Sequence, residues 1–145
     1  MEIKLNIYLH IGTQKTGTTT IQKMLTKNHD ALKNNGILYP KSLEQNTSQW
    51  SIAFLGYNDI KDDYFCTKNN IDNNDTLKQK QKQILLNLED EINKNICENI
   101  LISSEHIHSR LNKEELVKLK NNLKSINFKN SEVKNEVVQK NCRGG

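Results

Sequence analysis

Apolar and polar residues alternate near the start of the chain. Leu5, Ile7, Leu9 and Ile11 occupy every second position, with Asn6, Tyr8 and His10 between them, which predicts a strand. The period then lengthens. From Thr18 to about Asn35, the residues Ile21, Met24, Leu25, Ala31 and Leu32 recur at helical spacing, and Gly36 stands where a helix C-terminus favours glycine. Ile37, Leu38 and Tyr39 predict a short strand ended by Pro40. This β-α-β order predicts a parallel pair with a right-handed crossover.

Residues 41–75 carry little periodicity. Trp50, Ile52, Ala53, Phe54 and Leu55 suit one or two turns of helix, whereas the Asn- and Asp-rich run from Asn58 to Asp75 reads as loop. A helix is predicted from about Thr76 to Asn95, with Leu77, Ile84, Leu85, Leu88, Ile92 and Ile96 as its buried stripe and the Lys/Gln run at 78–83 as its solvated face. Asn99-Ile100-Leu101-Ile102-Ser103-Ser104 reads as a fully buried strand leading into Glu105-His106-Ile107-His108. A helix from Lys113 to about Lys124 follows, with Asn112 as N-cap, Glu115 completing a capping box, and Leu116, Leu119 and Leu123 facing inward. After Ile126 the pattern decays: Val133, Val137 and Val138 are the aliphatic residues from Lys129 onward, and no buried strand is predicted. The elements predict an α/β domain, a three-layer parallel sheet of about three strands.

Composition narrows the function. A chain of 145 residues holds one domain comfortably, not two. Hydrophobic content is 34% and the mean hydropathy is −0.77, because asparagine and lysine dilute the apolar signal throughout. The net charge of +4 suits an anionic ligand. Only Arg110 and Arg143 are arginines, and no basic stripe is interleaved with aromatics, so nucleic acid is not indicated. Cys66, Cys97 and Cys142 are widely spaced with no C-x-x-C pair, which argues against a zinc site or a disulfide framework. No secretory signal and no membrane-length apolar run is visible, so a cytoplasmic protein is expected.

The chemistry concentrates where strand gives way to helix, at Gly12-Thr13-Gln14-Lys15-Thr16-Gly17-Thr18-Thr19. A strand, a glycine-bracketed turn and a helix start form an anion cradle, because loop amides and the helix dipole point at the ligand. Against the nucleotide-triphosphate spacing G-x-x-x-x-G-K-[ST], Gly12, Gly17 and Thr19 match but Thr18 takes the lysine position. The glycine spacing motivates a small kinase or nucleotide hydrolase. Thr18 opposes it, as does the lack of an apolar strand ending in Asp to hold Mg²⁺. The nearby cation is Lys15.

The segment Lys15-Thr16-Gly17-Thr18-Thr19 resembles the 5′-phosphosulfate loop of sulfotransferases that use 3′-phosphoadenosine 5′-phosphosulfate (PAPS). His10-Ile11-Gly12-Thr13 before it and Gly36-Ile37-Leu38-Tyr39-Pro40 after it extend the likeness over residues 5–42, with a weaker echo at 99–107. The resemblance implies a sheet of the P-loop type and sulfuryl transfer from PAPS to a hydroxyl or amine, carbohydrate among the acceptors, without a metal. It implies donor binding by Thr13, Gln14, Lys15, Thr16, Gly17, Thr18 and Thr19. Lys15 would neutralise the leaving oxygen. Glu105, or else His106, would be the general base. Ser103 and Ser104 are either acceptor-side hydrogen bonders or strand-end residues, and His10 and His108 are packing or surface histidines. Residues 41–75 either shape an acceptor pocket or form a solvated loop anchored by Trp50. The family's 3′-phosphate residues, an Arg and a Ser, lie further along than this sequence reaches, and Arg110 does not stand in that position. Residues 1–127 are therefore expected to be the N-terminal part of such a domain, truncated at about three strands, with 128–145 a poorly ordered polar tail. An inactive remnant or an interaction module is the non-enzymatic alternative.

Overall fold

The structure, a computed structural model, describes residues 4–12, 18–44, 49–95, 97–126 and 134–142. The first strand, β1 (Lys4–Gly12), forms as its alternation predicts: Leu5, Ile7, Leu9 and Ile11 are buried, whereas Asn6, Tyr8 and His10 are half-buried. The helical stretch after it is two helices, α1 (Thr18–Lys27) and α2 (His29–Asn34), where the spacing predicted one. Asn28 causes the break. Its backbone leaves the helical region, and its side-chain amide donates to Met24 O at 2.6 Å, replacing helix bonding with a local contact. Gly36 adopts φ +77° and its N–H donates to Lys33 O, so the predicted glycine ends α2 in the left-handed conformation only glycine adopts cheaply.

Strand β2 is only Ile37–Leu38, and β3 is Asn99–Ser103. All strand pairs are parallel, and the α/β class is as predicted. The neighbours differ from the β-α-β expectation. The order is β2-β3-β1-β4, so β3 lies between β1 and β2. The apolar run Ile100-Leu101-Ile102 takes the inner place, and the two-residue β2 stays at the edge, where a short strand leaves few backbone groups unpaired. The strand β3 is not buried on both faces. Ile100 and Ile102 are fully buried in register with Ile7 and Leu9, while Leu101, opposite Tyr8, is half-buried.

A further strand, β4 (Lys134–Cys142), joins the three expected strands, in a stretch whose pattern predicts no buried strand. It pairs with β1 along its whole length, from Lys4↔Lys134 to Gly12↔Cys142. Its sequence carries neither strict alternation nor an apolar run. Main-chain pairing to the long edge of β1 supplies what side-chain patterning does not.

The predicted turn of helix forms as α3 (Ser51–Phe54), and a 3-10 turn stands at Lys41–Leu43. The loop reading of Asn58 to Asp75 is corrected by a short helix within it, α4 (Tyr64–Lys68). Leu43, Ile52, Phe54, Leu55, Tyr57 and Phe65 are at most 1% exposed and belong to the same core cluster as β1 and β3. The carbonyls of this irregular stretch are satisfied from the two helices packed over it, α5 (Asn74–Asn95) and α7 (Lys113–Lys124). Gln81 donates to Phe54 O and Tyr57 O, Lys118 to Tyr57 O, and Asn122 to Leu55 O. Gly56 is required by close approach, since a Cβ there would lie 2.8 Å from Glu115 O.

The helix α5 buries Leu77, Ile84, Leu88 and Ile92 as predicted, with Gln81 beside them and Leu85 half-buried; Ile96 lies outside the described residues. The helix α7 begins with the predicted capping box. Asn112 accepts from Glu115 N at 2.9 Å, and Glu115 reaches back to Asn112 N. A further helix, α6 (Glu105–Arg110), stands between β3 and α7, unpredicted because six residues are too few to display a period. Among the described residues, no helix is long and apolar enough to cross a membrane.

Candidate functional site

In an open parallel sheet, ligands collect beyond the carboxyl ends of the strands. Here that edge is formed by the ends of β1 and β3, which pair directly at His10↔Ser103. The strand β1 ends at Gly12 and α1 opens at Thr18 and Thr19. The loop between them, with Thr13, Gln14, Lys15, Thr16 and Gly17, lies outside the described residues.

The end of β3 is held by Ser103, which is fully buried. Its N–H donates to Gln49 Oε1 at 2.8 Å. Its hydroxyl shares a 2.8 Å hydrogen bond with His10 Nδ1, and its carbonyl accepts from Gln22 Nε2 at 3.4 Å. Gln49 in turn donates to Pro40 O at 2.9 Å. One residue thus ties together β1, α1, β3 and the turn after β2. The N–H, carbonyl and hydroxyl of Ser103 each have a partner in this network. His10 is more than packing: burial lowers its pKa, and it anchors the Ser103 hydroxyl. Ser104 is also fully buried. Its N–H donates to His10 O, and its hydroxyl has no hydrogen-bond partner among the described residues.

Glu105 and His106 follow at once, in the first turn of α6, both half-buried at the same edge; His108 is exposed. His106 packs its ring edge-on to Trp50, with centroids 4.5 Å apart. Burial, and then the Arg110 guanidinium, lower its pKa from 6.5 to about 4, so its imidazole is neutral near pH 7. A cavity of about 200 Å³ opens beside the end of β1, lined by Ile11, Ile107, His108, Leu111, Lys113 and Leu116.

A second group of side chains borders this edge, and sequence reading missed most of it. Trp50 stacks on Phe65 at 5.1 Å, and Tyr64 meets it edge-on at 6.5 Å. Asp63, 8% exposed, caps α4 through Cys66 N at 2.9 Å and accepts from Tyr57 Oη at 2.7 Å. Glu115 is buried too. Burial alone would raise its pKa, but hydrogen bonds from Asn58 N, Lys61 Nζ and Asn112 N outweigh it and the pKa falls. Glu115 fastens Asn58 and Lys61 to α7, while Asp63 ties Tyr57 to the start of α4. The available signal was the scarcity of arginine: a chain with 21 basic residues and only two arginines uses one of them at position 110.

Among the described residues no cluster of three or more His, Cys, Asp or Glu side chains could hold a metal ion. Cys66 and Cys97 are buried free thiols. No protein-family model, curated protein or solved structure matches the chain.

Proposed function

We propose that the chain is a sulfotransferase-like protein of the P-loop type that transfers a sulfuryl group from PAPS to a hydroxyl or amine acceptor, with carbohydrate the class to test first. The observation that carries this reading is the juxtaposition at one sheet edge. A strand ending in Gly12 is followed by a helix opening at Thr18-Thr19, and the parallel neighbour β3 delivers Glu105 and His106 beside it. The loop sequence Lys15-Thr16-Gly17-Thr18-Thr19 supplies the donor-binding chemistry.

In this reading the amides and hydroxyls of Gly17, Thr18 and Thr19 hold the donor's 5′-phosphate. The acceptor oxygen or nitrogen attacks sulfur, the bond from sulfur to the bridging phosphate oxygen breaks, and adenosine 3′,5′-bisphosphate leaves. Lys15 neutralises charge on the departing oxygen, and Glu105 takes the acceptor's proton. Glu105 is favoured over His106 because the His106 ring is packed against Trp50 beside a cation that opposes its protonation.

Calorimetry with adenosine 3′,5′-bisphosphate tests the reading. Saturable binding that disappears in Lys15→Ala supports it, and the absence of binding by folded protein refutes it. Transfer of labelled sulfate to carbohydrate acceptors, abolished by Glu105→Gln, tests the chemical step.

A further inference from the structure

Arg110 ends α6 with its side chain 37% exposed. Its guanidinium carbon lies 5.3 Å from the Trp50 ring centroid. Among the described residues its ion-pair partner is Asp63, with Arg110 Nη1 3.8 Å from Asp63 Oδ2, too far for a hydrogen bond, and that oxygen already accepts from Tyr57 Oη. The charge is therefore steered by a buried carboxylate on one side and an indole on the other, yet no hydrogen bond to the guanidinium is made among the described residues. The indole is itself held in place by Phe65 and His106. Such an arginine is oriented before any ligand arrives, paired loosely with Asp63 and with the hydrogen-bond donors of its planar fork unengaged among the described residues.

We propose that Arg110, braced on Trp50, is a binding site for an oxyanion, and that its ligand is a small molecule bearing a carboxylate or sulfate group. A forked guanidinium pairs with two oxygens of such a group at once, which the lysines supplying nearly all other positive charge do not do. Tyr64, 67% exposed beside Trp50, gives the body of the ligand an apolar shoulder. The site stands on the geometry of residues 50–65 and 106–110 and does not depend on the sulfuryl-transfer reading.

Trp50 is the single tryptophan of the chain, so its emission reports this site. The full chain is titrated with glucuronate, with inorganic sulfate and with uncharged glucose at constant ionic strength. A saturable emission change with glucuronate but not glucose is expected. It should weaken about tenfold or more in Arg110→Gln, by less in Arg110→Lys, and remain in Lys15→Ala. Saturation by sulfate as readily as by glucuronate supports the site with a free inorganic anion as its ligand. The proposal is overturned by no saturation with either anion, by an equal response to glucose, by a response that survives Arg110→Gln, or by one lost only in Lys15→Ala. Circular dichroism checks folding. Should Arg110→Gln not fold, unchanged affinity in Arg110→Lys overturns the forked geometry and a clear loss upholds it.

Discussion

On one face of the sheet, Leu5, Ile7, Leu9, Ile11, Ile100 and Ile102 are at most 3% exposed and join one cluster with residues of α3, α4, α5 and α7. On the other face, Asn6, Tyr8, His10 and Leu101 remain half-buried, and an apolar groove runs among Tyr8, Leu101 and the α1 residues Ile21 and Leu25. Polar residues on this face satisfy one another across strands, Asn6 with Asn99 and His10 with Ser103. The predicted inner face of the first helix covers it thinly: Leu25 is buried, but Met24 is 57% exposed and Ala31 is exposed. Among the described residues, apolar burial is concentrated on one side of the sheet, while the polar network that shapes the candidate site hangs from the other.

The largest test of that contrast is Leu88→Ala, which opens a cavity in the packed face. A loss of about 3 kcal/mol in urea unfolding is expected. Next is Gln49→Met, which keeps volume but leaves Ser103 N and Pro40 O without their partner. A cost of about 2 kcal/mol is expected, with faster amide exchange at Ser103. If Gln49→Met proves neutral, the strand end does not depend on that network.

A pH series gives a smaller effect. The His106 imidazole has its pKa lowered to about 4 in the folded chain against 6.5 when free. Between those values the unfolded chain binds more protons, so stability falls as pH drops from about 6.5 to about 4. His106→Gln should flatten this slope by on the order of 1 kcal/mol, after allowing for solvent screening of a half-exposed ring. An unchanged slope would remove His106 from the packed cluster. The smallest effect is expected from Met24→Gln on the thinly covered face, within about 0.5 kcal/mol in the same unfolding assay. A loss as large as that of Leu88→Ala would mean that the two faces do not differ.

Much of the scaffold was legible because it is local. The alternation of Leu5 to Ile11, the stripe of Leu77, Ile84, Leu88 and Ile92, the Gly36 stop and the Asn112–Glu115 cap each depend on neighbours within a few residues, and each forms as read. Apart from the helical turn at Ser51–Phe54, the segment 41–75 was not legible because its order comes from a distance. Gln81, Lys118 and Asn122 complete its carbonyls, and Asp63 and Glu115 fasten its turns. The position of β2 at the edge was hidden for the same reason, since pairing partners are chosen by all the strands together.

For the candidate site, sequence named Glu105 and His106 at the end of a strand, and they lie at the sheet's carboxyl edge in the first turn of α6. It could not find Gln49 or Gln22, whose types are ordinary and whose meaning arises only where Ser103 meets them. Arg110 stood out by rarity alone; its bracing by Trp50 and Asp63 joins residues 60 and 47 positions apart. By itself, the sequence determined the α/β class, the apolar face of β1, the extent of α5 and α7 and the residues available for anion chemistry, because periodicity and capping are short-range. Only the tertiary structure decided the strand order, the pairing of β4, the burial of residues 41–75 and the network converging on Ser103. Those outcomes depend on which distant backbone and side-chain groups find one another when water is excluded.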